Sequence, residues 1–238
     1  MAEAAVIAHE NILLSSCGHS PCAHDSMSAV GAAVSVTGLH CRFGRIDAVN
    51  NVSFHVKPGE HIAITGANGS GKSTLLRSII GLHRPSSGDI LINKTCVHQQ
   101  PALARSLCAW VPQRQTVGRF PLRVCELLAS CGASDAAHVA AGRLGVGHLL
   151  QRPLCTLSGG QLQRIFIARA IGSLHNKACL LLADEPTAAL DFAGQREIAA
   201  NIAALPCTVM VVTHDRNMAG CCDRVFEMAA GSLREVGV

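Results

Sequence analysis

The chain has 238 residues, of which 49% are hydrophobic, and this is enough for one sizeable α/β domain with a small subdomain. Only 15% of the residues are charged, and the formal charge of +4 includes no dense basic block, so extended disorder and nucleic-acid binding are both disfavoured. No apolar run of the sequence approaches the roughly 18 residues that a membrane span requires. We therefore expect the chain to stay in the cytoplasm and to reach a membrane only through a partner.

Residues 1–30 are predicted to be a poorly ordered extension, and the domain itself is expected to span residues 31–238. The stretch Ser15–Pro21 is rich in turn-forming residues and has neither a helical nor a strand period. Everything recognisable follows Met27, so translation from Met27 instead of Met1 is an alternative.

After the extension, short apolar runs alternate with segments of helical period, which predicts a mostly parallel sheet covered by helices on both faces. A mostly helical stretch at about 115–160, with Gly142, Gly145 and Gly147 breaking it into pieces, is predicted to be a small helical subdomain. In chain order, the predicted strands are Val34–Thr37, Val52–Val56, His61–Thr65, Asp89–Ile92, Trp110–Pro112, Cys179–Ala183, Cys207–Val212 and two short strands within Arg224–Val238, and predicted helices begin after Gly71, near Gly160 and near Ala193.

A glycine-rich segment, Gly66–Ser73, matches the pattern G-x-x-x-x-G-K-[ST] and lies between a predicted strand and a predicted helix. Glycines allow such a loop to wrap a phosphate with its backbone N–H groups, while the following helix presents its positive N-terminus to the same anion. Lys72 is predicted to reach the β- and γ-phosphates of a nucleotide, and the Ser73 hydroxyl to coordinate Mg²⁺. A glycine-rich turn that binds nothing is the alternative, and the flanking strand and helix argue against it.

Two adjacent acids, Asp184 and Glu185, follow the apolar run Leu180–Ala183. At the carboxyl edge of a parallel sheet, both would lie beside a bound ligand. Asp184 is suited to hold Mg²⁺ through water, and Glu185 to orient or deprotonate an attacking water molecule. Two ordinary solvated acids at a strand end are the alternative, which the P-loop in the same chain makes less favourable.

The segment Leu157–Gln161, with the sequence LSGGQ, is identical to the signature of the ABC ATPases, and the chain resembles that family over roughly residues 34–236. Gln113 resembles the Q-loop residue of the family, Ala188–Asp191 resembles its D-loop, and His214 resembles its switch histidine. The ordered set of motifs identifies the chain as resembling an ABC ATPase with a complete catalytic set.

The resemblance implies a P-loop NTPase core with an antiparallel β segment and a small helical subdomain, and it implies ATP and Mg²⁺ as bound species. It also implies that two such domains close head to tail around two ATP molecules, with the P-loop of one facing the signature of the other. Phe43 falls where the family places an aromatic residue, often Tyr, against adenine. The implied catalytic residues are Lys72, Gln113, Glu185 and His214; the implied nucleotide-binding residues are Phe43, Gly66, Ala67, Asn68, Gly69, Ser70, Gly71, Lys72, Ser73, Thr74, Ser158, Gly159, Gly160 and Gln161; and the implied Mg²⁺ ligands are Ser73, Gln113 and Asp184.

The segment around and after the Q-loop resembles the ATPases of manganese and zinc uptake systems, and related iron-chelate systems share parts of it. The matching sequences are VPQR at 111–114 and FPLRV at 120–124. This likeness implies a dimer of ATPase subunits on the inner face of the cell membrane, working with a multi-span permease and a solute-binding protein to import a divalent metal. It leaves open which species moves, whether it moves inward or outward, and whether the dimer has identical subunits.

Two other classes of protein are alternatives. A soluble ABC ATPase of the iron–sulphur assembly type would share every ATP motif without any role in transport. A regulatory module with a silent ATPase is less favoured, because the catalytic set is complete. Relatives in DNA repair and chromosome organisation are disfavoured, because they carry long coiled coils or zinc-module insertions and residues 74–157 contain no heptad repeat.

The extension contains a cluster, Cys17–Asp25, that offers two thiols, two imidazoles and a carboxylate. Thiolate and imidazole ligands suit Zn²⁺, but the spacing is tighter than in the usual structural zinc sites, and a tail without metal is the alternative. If the cluster binds zinc, titration of a peptide covering residues 15–26 should give a dissociation constant well below the millimolar range. A millimolar or weaker constant would exclude this site.

Overall fold

The structure, a computed structural model, describes residues 31–115, 118 and 121–237. Its strands form two sheets, one of four strands and one of six strands. In chain order within these residues, the strands are β1 (Val34–Phe43), β2 (Ile46–Val56), β3 (His61–Thr65), β4 (Ser87–Ile92), β5 (Thr95–Cys96), β6 (Cys108–Val111), β7 (Leu180–Asp184), β8 (Thr208–Val212), β9 (Arg224–Ala229) and β10 (Ser232–Val236).

Helices connect most of the strands of the larger sheet. The α-helices of the described residues are α1 (Lys72–Ile79), α2 (Pro101–Ser106), α3 (Val124–Ala129), α4 (Ser134–Arg143), α5 (Gly159–Leu174), α6 (Phe192–Ala203) and α7 (Arg216–Gly220), and 3₁₀ turns occur at Gly147–Leu149 and Leu154–Thr156. Among these helices, none has the combination of length and apolar character that crossing a membrane would take.

The six-stranded sheet has the order β10-β9-β3-β8-β7-β6 and is parallel except for the hairpin of β9 and β10. Its inner strands are buried on both faces, as parallel sheets between helices require. Along β7, Leu180 and Leu182 pack into one hydrophobic cluster with α1, whereas Leu181 and Ala183 pack into the other cluster with helices α3 to α6. The predicted mostly parallel, helix-covered core is therefore confirmed.

The smaller sheet has the order β2-β1-β4-β5 and is antiparallel at every strand pair. It packs into the same hydrophobic cluster as α1, through side chains such as Val34, Leu39 and Ile90. This sheet is the antiparallel segment that the family resemblance implies. Its hairpin of β1 and β2 brings Ala48 close to the glycine-rich loop that precedes α1.

Several details differ from the sequence-based expectations, among them the short helix α7, which is not predicted. Helix α2 and strand β5 occur where no element is predicted, because six and two residues are too few to show a period. Gly142 does not break a helix: it lies within α4, and the chain leaves the helical path at Gly145, whose φ is 72°. Glycine can adopt helical as well as left-handed dihedrals, so its presence alone did not locate the break. Pro112 lies outside β6, since proline has no N–H group to donate to a ladder.

The close contact between α5 and the α3–α4 segment requires a residue without a side chain at position 172. A Cβ on Gly172 would lie 2.6 Å from the Cys131 Sγ and 2.7 Å from the Ala137 Cβ. We expect Gly172→Ala to lower the free energy of unfolding by ~1–3 kcal/mol through overpacking, as measured by urea denaturation.

Gly142→Ala is the matched control, because nothing lies within 4 Å of the position that the added Cβ would take and its φ is not in the left-handed region. It should leave stability unchanged or raise it by roughly 0.4–1 kcal/mol. Equal unfolding midpoints for the two variants would contradict the tight packing at Gly172.

Candidate functional site

The carboxyl ends of β3, β8 and β7 lie side by side, because these strands are neighbours and parallel. Pairing places Ile64 beside Val212 and Val212 beside Asp184. The chain continues from these ends into the glycine-rich loop, into Glu185 and towards His214. Three motifs that are far apart in sequence therefore meet at one edge of the sheet, where parallel sheets bind ligands.

The glycine-rich loop passes close to two neighbouring backbones. Gly66 and Gly71 have φ values of 135° and 109°. A Cβ would lie 2.1 Å from the Met228 carbonyl oxygen at Gly66, and 2.0 Å from the Ala48 carbonyl oxygen at Gly71. Both positions therefore require glycine, for backbone conformation and for space.

The Lys72 side chain folds back onto its own loop. Its Nζ donates hydrogen bonds to the carbonyl oxygens of Gly66, at 2.7 Å, and Ala67, at 2.8 Å. Burial lowers the pKa of Lys72, and the negative charges of Glu185 and Asp184 oppose that shift. The ammonium group thus lies between the loop and the two acids of β7.

Asp184 and Glu185 are both buried, with 1% and 7% of their surface exposed. Neither carboxylate oxygen of Asp184 accepts a hydrogen bond from any described residue. Burial raises the pKa of Asp184, and neighbouring polar and basic groups oppose this shift only in part. Burial also raises the pKa of Glu185, opposed chiefly by His214. Glu185 has a φ of 51°, a left-handed conformation that is uncommon outside glycine and concentrated at functional sites.

His214 links the end of β8 to both other motifs. Its Nε2 lies 3.2 Å from Glu185 Oε1 and 3.2 Å from Asn68 Oδ1, and its backbone N–H donates to Glu185 Oε2 at 3.3 Å. Both neighbours of Nε2 are oxygen atoms, so a proton on this nitrogen would face two acceptors. The structure thus brings together Glu185 and His214, two of the catalytic residues that the family resemblance implies, and adds the contact with Asn68.

A cavity of about 350 Å³ lies between these motifs. Ala48, Arg114 and Val212 also line it, although none of them is a predicted site residue. Arg114 adjoins Gln113, but Ala48 comes from the β1–β2 hairpin, where no motif points to it. Gly66, Ala67 and Ser70 belong to the same loop but do not line the cavity. The predicted site residues on its wall are Asn68, Gly69, Gly71, Lys72, Ser73, Thr74, Gln113, Asp184, Glu185 and His214.

Phe43 lies at the end of β1 and is not part of the wall of this cavity. Its ring stacks on His83, with centroids 4.6 Å apart and an angle of 26° between the planes. Half of its surface is exposed, so the ring has one face covered by His83 and further surface open. The contact of Phe43 with adenine stays a prediction.

The signature segment lies at the N-terminus of α5. The Gln161 backbone N–H donates to Ser158 Oγ at 3.3 Å, and the Ser158 backbone N–H donates to Gln161 Oε1 at 3.0 Å, which forms a capping box. A Cβ on Gly160 would lie 3.2 Å from the carbonyl oxygen of Ala189, so the signature packs on the predicted D-loop. A cavity of about 740 Å³ is lined by Ser158–Gln161 and shares no lining residue with the P-loop cavity.

The cluster Cys17–Asp25 lies outside the described residues. Within those residues, no group of three or more His, Cys, Asp and Glu side chains has an arrangement that could hold a metal ion by itself.

Comparison with known proteins agrees with this geometry. A family model described as ABC transporter matches residues 49–188. The hemin import ATP-binding protein HmuV of Photobacterium damselae subsp. damselae is 34% identical over 220 residues, which cover 86% of this chain and 83% of the relative. The zinc import ATP-binding protein ZnuC of Pseudomonas aeruginosa is 34% identical over 194 residues, which cover 79% of this chain and 67% of the relative. A dimeric ATP-binding cassette solved with ADP and Pi superposes with a TM-score of 0.78 at 27% identity, covering 85% of this chain and 97% of that chain.

The chain therefore belongs to the ABC transporter family. It is an ATP-binding subunit of that family, and its enzymatic activity is the hydrolysis of ATP coupled to transport. The alternative of a non-transport ATPase of the iron–sulphur assembly type is not favoured, because the relatives are import proteins.

Replacing Asp184→Asn removes a buried negative charge from the nucleotide-free protein. Because the pKa of Asp184 is raised by burial, its ionisation opposes folding at neutral pH. We expect the variant to be more stable than the wild type at pH 7 by about 1 kcal/mol in urea denaturation. This advantage should fade as the pH falls through the raised pKa, because the wild-type group is then neutral.

Asp47→Asn is the control with the opposite sign, because the hydrogen bond from Arg42 Nε, at 2.7 Å, lowers the pKa of Asp47. This exposed variant should be equal to or slightly less stable than the wild type. An Asp184→Asn protein that is less stable than the wild type at pH 7 would contradict the electrostatic assignment.

Proposed function

We propose that this chain is the ATPase subunit of an importer that moves a divalent metal, zinc or manganese, through a multi-span membrane permease. The observation that carries the ATPase assignment is the cavity in which the P-loop, the two buried acids, Gln113 and His214 meet. The direction of transport is supported by the relatives, whose names describe import of hemin in one case and of zinc in the other.

The P-loop would hold the β- and γ-phosphates of ATP. Its backbone N–H groups and the N-terminus of α1 favour a bound anion. The Lys72 ammonium group is held by two neutral carbonyl oxygens, and phosphate oxygens would replace them as charged acceptors. Thr74, on the cavity wall beside Ser73, is proposed to line the same phosphate site.

The donor set fits Mg²⁺, which prefers oxygen ligands. Asp184 supplies two buried carboxylate oxygens that lack hydrogen-bond partners among the described residues, and Ser73 and Gln113 supply a hydroxyl and an amide oxygen on the cavity wall. These three residues would hold the ion, directly or through water. When bound, Mg²⁺ would neutralise charge on the phosphate oxygens.

Glu185 is proposed to orient and deprotonate the attacking water molecule. Its raised pKa makes it a stronger base than a solvated carboxylate. The His214 backbone N–H donates a hydrogen bond to Glu185 Oε2, and the His214 imidazole lies within ion-pair distance of Oε1, so both carboxylate oxygens face His214. His214 is half-exposed and lies beside Asn68 of the P-loop, so we propose that it also contacts the γ-phosphate.

A second ATPase subunit is proposed to complete each ATP site. The P-loop cavity and the signature cavity are separate within one chain, so one chain does not bring Ser158–Gln161 to its own P-loop. In a head-to-tail dimer, the N-terminus of α5 would face the γ-phosphate bound by the partner subunit. The dimeric cassette of similar fold supports this arrangement. Phe43 is proposed to stack on adenine with the ring surface that His83 leaves open.

We propose that residues 31–238 form the ATPase domain and that residues 1–30 are an extension. Within the domain, the stretch at about 115–160 is proposed to be the subdomain on which the permease docks at the inner face of the membrane. A solute-binding protein would deliver the cargo to the permease. Zinc is supported by the name of one relative and manganese by the sequence resemblance; hemin is the second candidate cargo, supported by the name of the other relative.

Glu185→Gln tests the catalytic assignment. Because the amide is not a base, we expect the ATPase rate to fall ~10²–10⁴-fold while ATP binding is retained, and ATP should trap the dimer in size-exclusion chromatography. Glu227→Gln removes a carboxylate on β9 that does not line the cavity and should keep wild-type activity. Hydrolysis by Glu185→Gln at the wild-type rate would show that another group activates the water.

Identification of the partners tests the transport assignment. The tagged protein would be purified from detergent-solubilised membranes of its host, and associated proteins identified by mass spectrometry. A multi-span permease together with a zinc- or manganese-binding receptor is the expected result. Recovery with a hemin-binding receptor would select the second candidate, and recovery from the soluble fraction with cluster-assembly proteins would overturn the transport role.

A further inference from the structure

A third cavity, of about 380 Å³, lies between the end of α1, the end of β5 and the helix α2. It is lined by Gly81–Arg84, Val97, His98, Pro101 and Arg105. None of these residues lines the P-loop cavity or the signature cavity. Four of the lining side chains are basic and none is acidic. The P-loop cavity, by contrast, is lined by the two acids Asp184 and Glu185. We name the third cavity the His–Arg pocket.

The two arginines of the pocket, Arg84 and Arg105, have no carboxylate within ion-pair distance among the described residues. By contrast, Arg42, Arg224 and Arg234 on the surface are each paired with an acid. The one hydrogen bond found for either pocket guanidinium group within the described residues runs from Arg105 Nη1 to the Gly81 carbonyl oxygen at a long 3.4 Å. A guanidinium group carries five N–H donors, so most of the donors at this cavity are available to a ligand.

The two imidazoles of the pocket have unused hydrogen-bonding capacity as well. The Nε2 atoms of His83 and His98 are shielded from solvent and have no hydrogen-bond partner in the part of the chain that the structure describes. Because these two nitrogens are shielded from solvent, the guanidinium groups of Arg84 and Arg105 are the groups that an anion in the cavity would contact. The stack on Phe43 fixes the ring plane of His83.

The combination of groups selects the charge of that ligand. Two imidazoles alone would also suit a metal ion, but two permanently charged guanidinium groups in the same wall repel a cation. Guanidinium groups match the geometry of oxyanions through paired N–H donors.

We propose that the His–Arg pocket binds a small phosphate-bearing anion, separately from the ATP site. The volume of the cavity accommodates a phosphate group together with a small organic substituent. The pocket adjoins the C-terminal end of α1, whose N-terminus follows the P-loop, and it includes the histidine that covers one face of Phe43. A ligand bound there would lie next to the segment proposed to contact adenine.

Isothermal titration calorimetry with inorganic phosphate tests this site on the full chain. Lys72→Ala serves as the background, because it removes the main cation of the P-loop and leaves the His–Arg pocket intact. In that background, Arg84→Gln with Arg105→Gln removes both guanidinium groups, which are exposed enough for the protein to fold without them. Lys57→Gln with Lys177→Gln is the charge-matched control, since both lysines are exposed and lie outside the pocket.

The Lys72→Ala protein should bind phosphate, and the paired arginine substitutions should weaken that binding about tenfold or more through the loss of charge-assisted hydrogen bonds. The control pair should change it little. Absence of binding in the Lys72→Ala protein, or equal affinities for the arginine and control variants, would overturn the proposal without affecting the ATPase assignment. Titration with glycerol 3-phosphate distinguishes the source: tighter binding than with inorganic phosphate indicates a phosphomonoester, and equal or weaker binding indicates free phosphate.

Discussion

Burial of two neighbouring carboxylates at the end of β7 is the constraint on which the nucleotide site depends. Asp184 and Glu185 end a strand that is buried on both faces, and removing such groups from water disfavours their charged forms. Lys72, at the start of α1, contributes positive charge near both acids, and the His214 backbone N–H donates a hydrogen bond to Glu185. The carboxylate oxygens of Asp184 accept no hydrogen bond from the described residues, which supports the proposed role of this side chain in holding Mg²⁺.

Helices α1 and α5, whose N-termini are proposed to face phosphate groups, both begin where glycines pack closely against a neighbouring backbone. Helix α1 begins directly after a loop that glycines allow to run against the backbones of β2 and β9. Helix α5 begins at the signature, where Ser158 and Gln161 cap each other and Gly160 contacts the D-loop. Because the P-loop and the signature border different cavities, the proposed dimer would join the P-loop of each subunit to the signature of its partner.

The region beside Phe43 adds a feature that no ATP motif accounts for. His83 and Arg84 follow α1, and His98 and Arg105 come from the segment after β5. The two guanidinium groups and the two imidazoles lie together because the turn after α1 packs against α2. Through the Phe43–His83 stack, the His–Arg pocket adjoins the residue that is proposed to contact adenine.

The sequence by itself determined the class of fold, the ATP motifs and their chemistry, because glycine-rich loops, buried strands and paired acids are local patterns with a local physical cause. It located β3 and the start of α5 to within one residue, and it named most of the residues that line the P-loop cavity. Only the tertiary structure decided contacts between segments that have no local signal. Ala48 reaches the nucleotide cavity through strand pairing, Asn68 meets His214 across the sheet edge, and Gly142 stays helical because its neighbours in α4 continue the helix. The His–Arg pocket belongs to this second group, since burial, pairing of charges and the space left between packed elements depend on the whole fold.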